Sequence, residues 1–131
     1  MSNLEKTIIG FLLVFFFLSC FQIFSTLRST TVYSLNNKNY RLLIADTPEK
    51  REKGLMFVRN LRGIDGMIFI FNDKEIRSFW NKNTYLDLDL YWIDDEKAVG
   101  QSYLPSIEKS KKTIMVYSLV PVNKVIELVK K

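Results

Sequence analysis

Between Ser78 and Thr84 the chain reads "SFWNKNT", which sets an indole, an ammonium, an amide and a hydroxyl within seven residues. Trp80 offers a flat apolar face for stacking, while Lys82, Asn83 and Thr84 supply charge and hydrogen-bonding groups that fix orientation. Asp89 adds a carboxylate shortly downstream, and Arg51 a guanidinium suited to gripping an anion through two parallel hydrogen bonds. Together these residues suit a pocket for a small polar or anionic ligand such as a sugar. Each also has a plainer explanation. Trp80 fits a core, Asn83 and Thr84 fit a turn that bonds its own backbone, and Lys82 with Asp89 fits an ion pair. The group as a whole holds more polar types than a turn requires.

A catalytic reading would use Asp87 and Asp89. Alternate strand residues share a face about 7 Å apart, within the span of paired glycosidase carboxylates. Neighbouring acids on a solvent face are commonplace, however, so a small carboxylate hydrolase is the lesser reading. The chain has no histidine, and Cys20 is its one cysteine. Ser-His-Asp, Cys-His and His/Cys zinc chemistry are thereby excluded, and no metal or cofactor is expected. The net charge is +5. Without a Lys/Arg-rich arm or an RNA-binding aromatic motif, that charge does not point to nucleic acid. A basic surface near anionic lipid is the better use of it.

The first 28 residues read as a membrane-directed segment. "TIIGFLLVFFFLSCFQIFSTL", Thr7 to Leu27, has no charged residue. As a helix it is long enough for a bilayer core of about 30 Å. Within it, Phe17-Leu-Ser-Cys20 is similar to a relaxed lipobox, which would make Cys20 a lipid attachment point. Phe17 stands where a smaller aliphatic residue is usual, and apolar "FQIF" follows Cys20 where a polar tether is usual. An uncleaved signal-anchor with an inert cysteine therefore stands beside the lipoprotein reading. No A-x-A-like cleavage site follows the run. A short N-terminus ahead of one long apolar run implies export, with the domain on the extracytoplasmic side. Arg28, Lys38 and Arg41 after the run weigh against that orientation.

Residues 29–131 read as one mainly β domain, and "RSTTVYS" and "NNKN" at its start read as polar and turn-like around a short apolar patch. "YRLLIAD" predicts a strand with Tyr40, Leu42 and Ile44 on one face. "TPEKREKG" predicts a two-turn helix, with Thr47 as N-cap, Pro48 at the first position, a Glu49–Lys53 pair and Gly54 at the end. "MIFIF", apolar on both faces, predicts a central buried strand. "NDKE" predicts a turn, and "IRSFW" the next strand. Leu86, Leu88, Leu90 and Trp92 alternate with Asp87, Asp89, Tyr91 and Ile93, the pattern of a half-buried strand. "DDEK" is a hairpin turn, the polar run from Pro105 to Lys112 a loop, and "TIMVYSLV" and "VIELV" the last strands. About seven short strands and one short helix predict a compact barrel- or sandwich-like domain behind one apolar helix.

Laid end to end, "TPEKREKGLM", "GMIFIF", "SFWNKNT", "LDLYWID" and the final "VIEL" resemble the pattern of a bacterial and archaeal family, domain of unknown function 192. The resemblance implies a small, mostly β fold behind a secretion signal or anchor, and supplies no activity. It carries over Arg51, Gly54, Trp80, Lys82, Asn83, Thr84 and Asp89. Asn81 stands where the family has Met, and Asp87 where it usually has Pro. Three functions are open: a membrane-tethered binding module, an envelope protein–protein interaction domain, and the hydrolase.

Overall fold

A computed structural model describes residues 1–26 and 29–131, leaving aside the side chains of residues 17–26. The Cys20 side chain therefore lies outside the described residues. Helix α1 (Asn3–Thr26) comes first. Among the described residues no helix is long and apolar enough to cross a membrane.

The domain runs β1 (Thr30–Leu35), β2 (Lys38–Ala45), α2 (Pro48–Lys53), β3 (Gly66–Glu75), β4 (Ser78–Trp80), β5 (Leu88–Asp94), β6 (Lys97–Leu104), α3 (Ile107–Ser110), β7 (Met115–Tyr117) and β8 (Val122–Val129). Six strands form one sheet in the order β1-β2-β3-β8-β5-β6, and β4 pairs with β7 in a separate two-stranded ribbon. β2 and β3 are parallel, joined across α2, and the other pairs are antiparallel. The sheet is not closed, which corrects the barrel expectation. β1 and β6 remain edges, although the sheet curls enough for the Tyr33 hydroxyl to donate to Glu96 at 3.4 Å.

Both faces of the sheet are packed. Along β5, Leu88, Leu90 and Trp92 join Met67, Phe69 and Val125 in one core, while Ile93 joins Leu42, Ile68 and Ile126 in the other. Each fully buried side chain of this size contributes about 1.5–3 kcal/mol. The predicted alternation of β5 and the central place of Met67–Phe71 are both present. Three expectations need correction. "NDKE" is not a turn: β3 continues through it to Glu75, with a register shift against β8. Within the turn-like "RSTTVYS", the residues from Thr30 on belong to edge strand β1, drawn out by pairing with β2. The loop after Pro105 holds α3, whose N-cap Ser106 accepts from the Lys109 N–H at 3.1 Å.

Local chemistry fixes α2 where predicted. The Thr47 hydroxyl accepts from the Lys50 N–H at 3.2 Å, Pro48 fills the first turn, and the ion pair formed is Lys50–Asp46 at 3.3 Å. Gly54 ends the helix at φ +48°, and a Cβ there would lie 3.2 Å from Phe69 Cζ. Gly54→Ala is therefore expected to cost about 1–3 kcal/mol, measured as a lower urea midpoint at unchanged slope. Gly66 allows an even closer approach, since a Cβ there would meet the Glu127 carbonyl oxygen at 1.8 Å.

Candidate functional site

On the face that carries Phe69, the ribbon and α2 leave a cleft of about 470 Å³. α2 and the residues after it supply one wall, from Arg51 to Met56, and the Arg77–Trp80 segment supplies the other. The buried lining is apolar at Leu55 and Phe69, beside half-buried Phe71 and Phe79, and polar at Thr84 and Glu127.

Glu127 lies on β8 with Met67 of β3 and Leu90 of β5 beside it in register. Strand alternation puts its side chain on the same face as Val125 and Val129, over the middle of the sheet, where an apolar residue is the rule. It is 4% exposed. Among the described residues no hydrogen bond or ion pair satisfies its carboxyl. Desolvation pushes its pKa up to about 8 from the ordinary 4.5, so at neutral pH the group is mostly the uncharged acid. Such a group gains the fold nothing and stands at a cleft, the combination that marks functional sites.

The two arginines of the cleft lie against the Phe71 ring, with Arg51 Cζ 5.1 Å and Arg77 Cζ 3.9 Å from its centroid. Arg77 is heavily engaged. It donates to the Asp73 carbonyl and carboxylate at 2.8 and 2.5 Å, to Glu75 at 3.2 Å and to the Val122 carbonyl at 3.4 Å. Arg51 donates through Nη1 to the Ile70 carbonyl at 3.0 Å. Among the described residues its Nε and Nη2 make no hydrogen bond.

Of the residues singled out in the sequence, Arg51, Trp80 and Thr84 come together at this cleft. The Thr84 side chain is buried and its hydroxyl donates to the Lys82 carbonyl at 3.2 Å. Lys82 is not in the lining; its ammonium sits 5.1 Å from the Trp80 ring centroid. Asn83 turns the chain at φ +53° and its carbonyl accepts from the Phe57 N–H at 2.8 Å. Asp89 is on the far face of β5, 3.7 Å from the Lys130 ammonium. Asp87, also turned from the cleft, accepts from the Ser106 N–H at 2.8 Å, with Lys109 at 3.4 Å. That N–H, with Lys109 behind it, holds the Asp87 carboxyl below its usual range.

Glu127 and Arg77 were not singled out in the sequence. The legible signal for Glu127 was an acid inside "VIELV", at a position whose strand parity is otherwise apolar. Trp80 is 43% exposed, at the outer face of the ribbon, opposite Met115. Trp80→Ala should therefore cost about 1 kcal/mol or less in a thermal melt, against about 3–5 kcal/mol for a core tryptophan.

An open mixed sheet, roofed on one face by a two-stranded ribbon with a cleft beneath, defines the class of domain. The chain belongs to the DUF192 family (domain of unknown function 192, described as "Uncharacterized ACR"), whose profile matches residues 31–131. Two crystal structures are similar. One, of a proposed transcription regulator from Sinorhizobium meliloti 1021, is 27% identical with a TM-score of 0.60, over 76% of this chain and 78% of that one. The other, of a protein of unknown function from Novosphingobium aromaticivorans DSM 12444, is 22% identical with a TM-score of 0.63, over 76% of this chain and 71% of that one. No curated protein matches the chain.

Proposed function

We propose that this protein is a binding module for a small polar ligand, held in the cleft between α2 and β4. The observation that carries the reading is Glu127, a buried residue whose carboxyl has no hydrogen-bond or ion-pair partner among the described residues, lining the same cleft as Arg51, Trp80 and Thr84. The site is placed here rather than at Asp87 and Asp89 because those carboxylates face away from the cleft and hold Ser106, Lys109 and Lys130. The uncharged run Thr7–Leu27 supports a membrane tether for the module, with the domain on the extracytoplasmic side.

A thermal-shift screen of the full chain against sugars, nucleotides, phosphates and amino acids tests the reading. A ligand at a hundred times its dissociation constant adds about 2.7 kcal/mol of stability, or roughly 10 °C for a domain of this size. That shift is expected in the parent and not in Glu127→Gln or Trp80→Ala. No shift with any compound, or equal shifts in all three proteins, would refute it.

A second reading, docking of an envelope protein, is favoured by the outer face of the ribbon. Trp80, Met115 and Tyr117 are exposed there, and Leu119, just beyond β7, is 94% exposed. Contiguous apolar surface of this kind marks interaction sites. A photo-crosslinker at Leu119 would trap one partner reproducibly if that reading holds, and none if it does not.

A further inference from the structure

Granted that the cleft is a ligand site, its lining also says what charge the ligand brings. We propose that the cleft receives a ligand with a cationic head, an amine or amidine, seated against the Glu127 carboxyl and the aromatic walls.

Among the described residues no donor bonds the Glu127 carboxyl, which lines the cleft. Three of the protein's cations line the same cleft, Arg51 and Lys53 from the α2 side and Arg77 after β3, yet none of them bonds Glu127. Both guanidiniums are drawn aside onto Phe71 and onto backbone carbonyls. The acids at the same cleft are Glu52 and Glu75, and Glu75 accepts from Arg77. From the strands beside β8, Met67 and Leu90 are the register partners of Glu127, and neither is charged. The rings of Phe69, Phe71 and Phe79 line the same cleft, with Phe69 and Phe79 in edge-to-face contact at 4.8 Å. Aromatic faces attract cations, and most strongly where water is excluded. A buried carboxyl among such rings lacks one thing, a positive charge small enough to reach it.

The proton balance follows. At neutral pH the acid is mostly protonated, so a cation that binds its carboxylate displaces one proton to the buffer. Affinity for a cation then rises with pH until Glu127 is ionised. A neutral or anionic ligand would take a hydrogen bond from the acid form, and its affinity would fall over the same range. The two classes have slopes of opposite sign.

The test uses benzylamine, benzyl alcohol and benzoate, which share a ring and differ in charge, with the full chain by calorimetry from pH 6 to pH 8.5. Expected is binding of benzylamine that tightens about tenfold per pH unit below the midpoint of Glu127. Buffers of different ionisation heat should show release of about one proton at pH 6.5. Glu127→Gln should abolish this binding, and Glu127→Leu should do so as well, with both proteins folded by circular dichroism. Tighter binding of benzoate or benzyl alcohol, or benzylamine binding that weakens with pH, would overturn the cationic head and leave the cleft as a ligand site. Failure of all three probes beside a positive hit in the ligand screen would overturn it equally. Failure of both experiments would remove the cleft itself.

Discussion

Glu127→Gln is expected to be as stable as the parent near pH 4 and more stable by up to about 5 kcal/mol above pH 8. The difference arises because the acid keeps its proton in the fold up to about pH 8, whereas an ordinary glutamate loses it at 4.5. Below 4.5 both states are protonated and the substitution changes no charge. Between 4.5 and 8 the unfolded chain ionises and the folded one does not, so the folded state binds more protons and stability falls as pH rises. Above 8 both ionise and the loss is complete. The gap between about 8 and 4.5 corresponds to about 5 kcal/mol, large against the 5–15 kcal/mol typical of a whole domain. Urea melts of parent and Glu127→Gln at pH 4, 6 and 8.5 measure it. Groups whose pKa is lowered, such as Asp87 and Glu96, titrate in both proteins and cancel in the comparison. Curves that stay parallel across pH would mean that Glu127 ionises normally.

The second large effect is expected at Asn81, which is fully buried. Its Nδ2 donates to the Pro105 carbonyl at 2.9 Å and to the Ser110 hydroxyl at 2.8 Å, and its Oδ1 accepts from the Ile114 N–H at 2.7 Å. One amide thereby ties the end of β4 to the segment that leads through α3 into β7. Asn81→Ala should cost about 3–5 kcal/mol, since each buried polar group left unpaired costs about 1–3 kcal/mol. Asn81→Met should cost a similar amount, because a thioether cannot serve a carbonyl and an N–H together. Denaturant melts give the magnitude, and hydrogen exchange at the Ile114 amide shows whether the β4–β7 ribbon loosens first. A loss below about 1 kcal/mol in either variant would contradict the role given to this amide.

What was legible followed from short-range physics. The alternation from Leu86 to Ile93, the Thr47-Pro48 cap and the doubly apolar Met67–Phe71 strand each need only local periodicity or side-chain chemistry. "NNKN" was legible too, as Asn36 and Asn37 both take positive φ in the β1–β2 turn. The extension of β3 through Asn72–Glu75 was not, because those residues are polar on both faces and the extension ends in a long-range pairing of Glu75 with Val122 of β8. The same holds for the strand order and the open sheet, since nothing local says that β2 and β3 run parallel.

The site was half legible for a related reason. "SFWNKNT" draws the eye because it is rich in polar types, but Asn81 and Asn83 there serve the chain itself, and Lys82 sits over Trp80. Asp87 and Asp89 looked like a pair because they share a face, and that face is the one turned from the cleft. Glu127 sits in an apolar run and offers one acid where a core residue belongs. Its meaning appears only when β3, β5 and the ribbon close around it.

The most direct test of the account is the ionisation of Glu127 itself, followed by the carboxyl carbon resonance of the full chain across pH 3 to 10. A midpoint near 8 is expected, moving down when benzylamine fills the cleft. A midpoint near 4.5, unmoved by the amine, would mean that the carboxyl is hydrated and the cleft is not the site described.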